Sequence, residues 1–160
     1  MLEENKMILI KRKTNNLILL ILLITIFAFI ALQQFNKRIE PLRNAIVYEQ
    51  KGMYPEAITE YTKHIQQNQE DWEGYYSRGL CYHQDIKDFK KAIDDYTHAI
   101  KYASSSDFIY FSRGQAYFQI GELNKAQEDV NKAKSLGYKP NDADNKLLKE
   151  LQNAMEAKEK

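Results

Sequence analysis

The chain is poor in the residues that carry covalent and metal chemistry. It has one cysteine, Cys81, in 160 residues, so no internal disulfide can form. Cys81 reads as a small hydrophobe in a packed helix. The three histidines, His64, His83 and His98, stand apart, with no Cys/His cluster at metal-ligand spacing. Each reads as a structural or exposed ring, and no metal or cofactor is expected. No Ser/His/Asp, Cys/His, paired-carboxylate or phosphate-loop arrangement can be recognised, so no catalytic residue is nominated and neither an enzyme nor a small-molecule substrate is expected. Charge of one sign is lacking as well. The formal net charge is +1, and Lys/Arg are interleaved with acids, which disfavours nucleic acid as a partner. No stretch resembles a Pro/Gly/Ser-rich linker. An apolar share of 44% with 28% charged residues fits a folded protein, and 160 residues suit one domain. The aromatics are unevenly chosen, with 11 Tyr and 7 Phe against 1 Trp.

One run is strongly apolar. Leu17 to Leu32, LILLILLITIFAFIAL, has Thr25 as its one polar residue. As helix it spans about 24 Å, a little short of a hydrocarbon core of about 30 Å. Asn16, Gln33, Gln34 and Phe35 close much of that gap, because amides can sit near the interface. A cleaved signal peptide wants small residues three and one before the cut. Ala28 and Ala31 are three apart, not two, and Phe29 is bulky. A core helix of a soluble domain would show a polar face, and this run has none. The favoured reading is a transmembrane signal-anchor over residues 17–35, preceded by a short basic tail, 1–16. A cleaved signal is the alternative. No cysteine precedes Cys81, which excludes lipidation of an N-terminal cysteine.

Lys6, Lys11, Arg12 and Lys13 precede the run, and Lys37, Arg38 and Arg43 follow it. Four against three leans toward a cytoplasmic N-terminus in a single-pass topology. A bacterial inner membrane with the rest of the chain in the periplasm fits. So does an organelle membrane with the rest in the cytosol. The free cysteine leans toward a reducing side.

Beyond the run, 23 − 4 = 19 Lys/Arg meet 22 − 2 = 20 Asp/Glu. Here the sequence repeats itself. GYYSRGLCY, Gly74 to Tyr82, is echoed by IYFSRGQAY, Ile109 to Tyr117. Each copy is followed by an alanine-centred stretch, FKKAIDDYTHAI and LNKAQEDVNKAK. A period in the thirties marks a helical repeat array. Three units can be laid over one another, 38–71, 72–106 and 107–140. A small residue recurs on the first helix as Ala45, Gly79 and Gly114, and on the second as Ala57, Ala92 and Ala126. Seven residues further come His64, Ala99 and Ala133. Large residues recur between them as Tyr48, Tyr82 and Tyr117; Tyr54, Phe89 and Leu123; and Tyr61, Tyr96 and Val130. Small places let helices approach and large ones fill the space between them.

Three irregularities carry expectations. The middle unit has one extra residue and no turn glycine, so its turn should differ. His64 is large where its counterparts are alanine, so units one and two should pack more loosely. Pro41 suits a first turn, so the first repeat helix should start near it. Arg78 and Arg113 are placed to pair with Asp95 and Asp129 inside their own units. Residues 141–160 open with a helix-start composition, and Leu147, Leu148, Leu151 and Met155 follow at helical spacing. This reads as a C-terminal capping helix, with an extra interaction helix as the alternative.

These spacings resemble the tetratricopeptide repeat, a helix–turn–helix unit of 34 residues. The resemblance implies an α-solenoid of three repeat pairs, which with the transmembrane helix and the capping helix makes an all-α protein. It further implies a concave groove lined by the first helices, and a protein or peptide partner held there. Leu42 and Ile46, Glu73 and Ser77, and Ser112 fall at groove positions. The candidate partner-binding residues are Tyr76, Leu80, His83 and Gln84 in unit two, with Phe108, Phe111, Gln115, Phe118 and Gln119 in unit three. Such aromatics and amides suit a peptide, unless the capping helix or a neighbouring repeat buries them. Chaperone-docking members of the family clamp a terminal carboxylate with Lys, Asn and Arg. The matching residues here, Leu42, Ile46, Ser77, Phe108 and Ser112, cannot do this. The function implied is a membrane-anchored interaction module or scaffold. The alternative is a structural subunit packed permanently into a membrane assembly.

Overall fold

The structure, a computed structural model, describes residues 1–158. Of the expected capping segment 141–160, Glu159 and Lys160 lie outside the described residues. Two compact units are present, Met1–Glu40 and Pro41–Lys160.

The first unit belongs to helix α1, Leu2–Gln50. The residues read as a basic tail are already helical. The stretch of α1 long and apolar enough to cross a membrane has none of its residues buried. Thr25 Oγ1 donates to the Leu22 carbonyl at 2.8 Å, so even the polar side chain in the run is satisfied within the helix.

In the second unit the end of α1 is followed by α2 (Tyr54–Gln67), α3 (Trp72–Leu80), α4 (Phe89–Tyr102), α5 (Asp107–Gln119), α6 (Leu123–Ser135) and α7 (Asp142–Lys158). Pro41 lies inside α1 and not at a helix start. It has no N–H for the carbonyl four residues back, a loss that its burial helps to offset.

Small residues make the core close. Ala45, Ala57, Ala92, Ala99, Ala126 and Ala133 are fully buried. A Cβ at Gly79 would stand 2.8 Å from the Tyr96 ring, and one at Gly114 3.2 Å from the Ala126 carbonyl. Three apolar clusters follow, and each borrows from the next first helix. Cys81 of α3's continuation joins Ala45, Ala57 and Tyr61. Ile109 and Ala116 of α5 join Ala92, Ile93, Tyr96 and Ala99. Leu151 of α7 joins Phe111, Ala126, Val130 and Ala133. Cys81, Ala116 and Leu151 are 35 residues apart in sequence and all buried, so α7 packs on α6 as a first helix would. Reciprocal hydrogen bonds fix its start: the Asn141 N–H donates to Asp144 Oδ2, and the Asp144 N–H to Asn141 Oδ1, both at 3.0 Å.

Each arginine of the echo spans three helices. Arg78 Nε and Nη2 donate to Asp95 at 2.9 and 2.7 Å, while Nη1 donates to Thr62 in the preceding unit at 2.9 Å. Arg113 repeats this with Asp129 at 2.7 and 2.8 Å and Thr97 at 3.1 Å. Burial pushes the Asp95 carboxyl up, and the guanidinium pulls against that shift.

The irregular turn has a definite form. In the outer units a backbone N–H returns to the tyrosine carbonyl from Met53 (Tyr48, 2.9 Å) and from Glu122 (Tyr117, 3.0 Å). In the middle unit the same bond comes from Asp88, one residue later, to Tyr82 at 2.9 Å. A π-helical stretch, Cys81–Ile86, absorbs the extra residue. Lys87 takes the left-handed conformation, φ 61°, that Gly52 and Gly121 take in the other turns.

His64 does not loosen its interface. It is buried, with Nε2 2.7 Å from Asp71 Oδ2. Its room comes from Gly74, where a Cβ would lie 2.9 Å from the His64 ring. At the next interface the large residue is Ile109 and the small one Ala99, in one buried cluster. The two interfaces divide the same space in opposite ways.

This exchange is testable by a double-mutant cycle in the full chain, with Trp72 fluorescence as the unfolding probe. His64→Ala should cost about 2 kcal/mol through the cavity it leaves. Adding Gly74→Ile, which copies the Ala99/Ile109 arrangement, should restore more than half of the loss. A double variant as unstable as His64→Ala would refute the exchange.

Candidate functional site on the first-helix face

The candidate residues project from α3, its π-helical continuation and α5, and the structure divides them into groups. Tyr76 and Phe108 meet edge to face at 5.0 Å between ring centroids. Trp72 lies 5.9 Å from Phe108, and Tyr96 5.8 Å from Tyr76. All but Tyr96 are half-buried, so this strip joins units two and three and still shows a face to solvent. Leu80 packs half-buried on the same cluster.

Phe111 and Phe118 belong elsewhere. Phe111 is 3% exposed, stacked at 4.2 Å under Tyr138. Phe118 packs half-buried on the cluster that holds Phe111, Val130 and Leu151. The two serve the packing around α7, and Phe111 has no face to offer as it stands. Ser112, a neighbouring groove position, is buried too. Gln115 is half-buried, while Gln84 and Gln119 are exposed.

His83 has a partner inside its own unit. Its Nδ1 lies 3.3 Å from the Tyr96 hydroxyl, and its ring meets Phe89 edge to face. Burial, with Lys87 adding to it, pushes the imidazole below its ordinary value. A neutral ring with Nδ1 free can accept the phenol proton.

Glu49 occupies the equivalent place in unit one. Its Oε2 accepts from the Tyr61 hydroxyl at 2.6 Å. In unit three the pair becomes Phe118 and Val130, apolar on both sides. Glu49 also borders an open cleft of about 360 Å³, with Ile46, Gln50, Tyr54, Gln84 and Asp85. Of these, only Ile46 and Gln84 fall at groove positions in the repeat spacing. Glu49 stands 34 residues before His83 in sequence, so the alignment held the signal for it. Asp85 could not be found that way, because it sits in the π-helical insertion without a counterpart. No group of His, Cys, Asp and Glu suited to a metal ion occurs among the described residues.

Residues 73–106 and 109–136 match the sequence profile of the tetratricopeptide repeat. Over 82 residues the chain is 34% identical to the BBSome complex member BBS4 of Bos taurus and 33% identical to that of Mus musculus. Each match covers 51% of this chain and 15% of the relative, so the chain spans a small part of the length of these curated relatives. Among solved structures, the first TPR of Spaghetti (RPAP3) bound to the HSP90 peptide SRMEEVD is similar, with a TM-score of 0.68 and 25% identity. That match covers 75% of this chain and 94% of the other. The crystal structure of MamA is similar at a TM-score of 0.60 and 26% identity, covering 64% and 59%. Residues 73–106 and 109–136 thus carry tetratricopeptide repeats within an all-α fold.

The state of His83 sets a pH dependence. Well above pH 6.5 the ring is neutral in folded and unfolded chains alike, and contributes no slope. Below it, the unfolded chain binds a proton that the folded chain resists, so stability falls as pH drops toward the lowered folded value. Denaturant unfolding at pH 7 and pH 5.5 should show this loss in the native chain and a smaller one in His83→Gln. Equal losses in both would show that His83 does not carry the effect.

Proposed function

We propose that the chain is a membrane-anchored interaction module whose repeats hold a segment of a partner protein on the first-helix face. The observation that carries this reading is the half-buried strip of Tyr76, Phe108 and Leu80, with Gln84 and Gln119 exposed further along the same two helical stretches. Aromatic rings give large contact area at low entropic cost, and amides can bond an extended backbone. The first TPR of Spaghetti holds a peptide and supports the reading. Its peptide is acidic, whereas Leu42, Ile46, Ser77, Phe108 and Ser112 here supply no cation to clamp a carboxylate, so a different occupant is expected. Phe111 is left out of the contact surface and Phe118 stays at its margin. The test is a selection of peptides from a random display library on the full chain in detergent micelles. Gln84→Arg/Gln119→Arg should weaken selected peptides about tenfold, equivalent to about 1.4 kcal/mol. Undiminished binding, or no selectable peptide, would defeat this reading.

The anchor rests on α1, whose apolar stretch is unburied and whose one polar side chain is internally bonded. We place the chain as single-pass, N-terminus in the cytoplasm, in a bacterial inner membrane with periplasmic repeats. An organelle membrane with cytosolic repeats is the alternative. The full chain should stay in the membrane pellet after alkaline carbonate extraction, and added protease should cut the repeats in spheroplasts. Release by carbonate would remove the anchor, and protection in spheroplasts would reverse the topology.

A permanently packed subunit is the second reading. Val47 favours it: the residue is 41% exposed, although its counterparts Cys81 and Ala116 are buried against a preceding helix.

A further inference from the structure

We propose that the cleft between the end of α1 and the π-helical turn after α3 docks a basic segment of the partner, by a lysine or arginine set between Glu49 and Asp85, with an apolar neighbour on Ile46. This rests on the peptide-docking reading and names the chemistry of the peptide. Six residues line the cleft: Ile46, Glu49, Gln50, Tyr54, Gln84 and Asp85. Two are carboxylates and none is a cation.

Some acids elsewhere face cations, whereas Asp144, like Glu49, is held by a phenol. Asp95 faces Arg78 and Asp129 faces Arg113, while the helix-start residues Asp88 and Glu122 pair with Lys91 and Lys125. Among the described residues neither Glu49 nor Asp85 is in an ion pair. What they face are phenols: the Tyr61 hydroxyl donates to Glu49, and Tyr54 lines the cleft with Asp85. Asp85, with Glu49 as a weaker cause, holds the Tyr54 phenol above its ordinary value. A phenol satisfies one lone pair of a carboxylate and leaves its charge in place. A guanidinium or ammonium satisfies the charge and the remaining lone pairs together. An acidic segment would meet like charge here and be turned away.

The other lining groups fit the same occupant. Ile46 is 43% exposed and offers apolar surface beside the charge. Lys and Arg carry long apolar stems below the charged head, so one side chain can use both surfaces. Gln50 and Gln84 can bond the main chain of the segment. At about 360 Å³ the cleft lies at the low end of the usual size for ligand sites, ~300–1,000 Å³. That is room for side chains of an extended segment, not for a folded body.

The test uses peptides selected from the random display library on the full chain in detergent micelles. Selected sequences should be enriched in Lys and Arg next to an aliphatic residue. A synthetic copy of one such peptide should lose about tenfold in affinity to Glu49→Gln/Asp85→Asn, because two charge-assisted contacts are removed together. Replacing its Lys by norleucine should erase the difference between native and variant chains. Glu49→Gln keeps an acceptor for Tyr61, and Asp85→Asn alone, at an exposed position, serves where the double variant fails to fold by Trp72 fluorescence. Selected peptides that are neutral or acidic, or basic ones that bind native and variant chains equally, overturn the proposal. If those peptides remain sensitive to Gln84→Arg/Gln119→Arg, the docking reading survives without it. If no peptide is selected, both fall.

Discussion

Close approach of helices at Gly79 and Gly114 is the constraint on which the solenoid rests. A side chain at Gly79 would collide with Tyr96, so only glycine lets α3 lie against α4 at that distance. The same proximity brings the preceding residue, Arg78, onto Asp95 in a two-point contact. A third N–H reaches Thr62 in the unit before. The pair is mostly dry, with Arg78 18% and Asp95 5% exposed. Burying it costs desolvation that its own attraction roughly offsets, so the pair is a poor source of net stability. Its value is geometric: a guanidinium bonded to two units fixes the register of one on the next. The favourable free energy comes from the alanine-lined apolar clusters on either side, at roughly 25 cal/mol per Å² of apolar surface removed from water.

The repeats then tolerate exchange at equivalent places, provided that facing residues change together. His64 with Gly74 becomes Ala99 with Ile109. Glu49 with Tyr61 becomes His83 with Tyr96, and then Phe118 with Val130. The series runs from an acid–phenol bond, through an imidazole–phenol bond, to apolar contact. Each step keeps every buried polar atom partnered, which agrees with no buried side-chain polar atom lacking a hydrogen bond among the described residues.

What the sequence disclosed follows from this. The small and large places were legible because they repeat at fixed spacing on a single strand of text. The Arg–Asp pairs were legible because both partners recur together. Facing residues across units were not, since the role of Gly74 shows only beside His64. Pro41 misled because proline usually opens a helix, and its burial inside α1 has no local signal. Of the candidate residues, Tyr76, Leu80 and Phe108 are half-buried and Gln84 and Gln119 exposed, so each keeps surface. Phe111 does not, because its cover is Tyr138, a residue that follows Gly137 outside any helical period. Asp85 was invisible for the opposite reason, as the product of an inserted residue.

The same exchanges make the first-helix face unequal along its length. Toward α7, Phe111 and Phe118 are drawn into packing, and Gln115 and Gln119 are the amides that keep surface. Toward α1 the face keeps carboxylates, amides and an exposed isoleucine. Glu49 sits at the join, bonded on one side to Tyr61 and open to the cleft on the other. A flexible surface glutamate loses rotamer entropy when it captures a cation, a cost of order 1 kcal/mol. Here Tyr61, itself buried, already holds the carboxylate in place. The bond that supports the first repeat therefore also fixes the carboxylate that borders the cleft, so the charge presented at this end depends on the same core tyrosine as stability does.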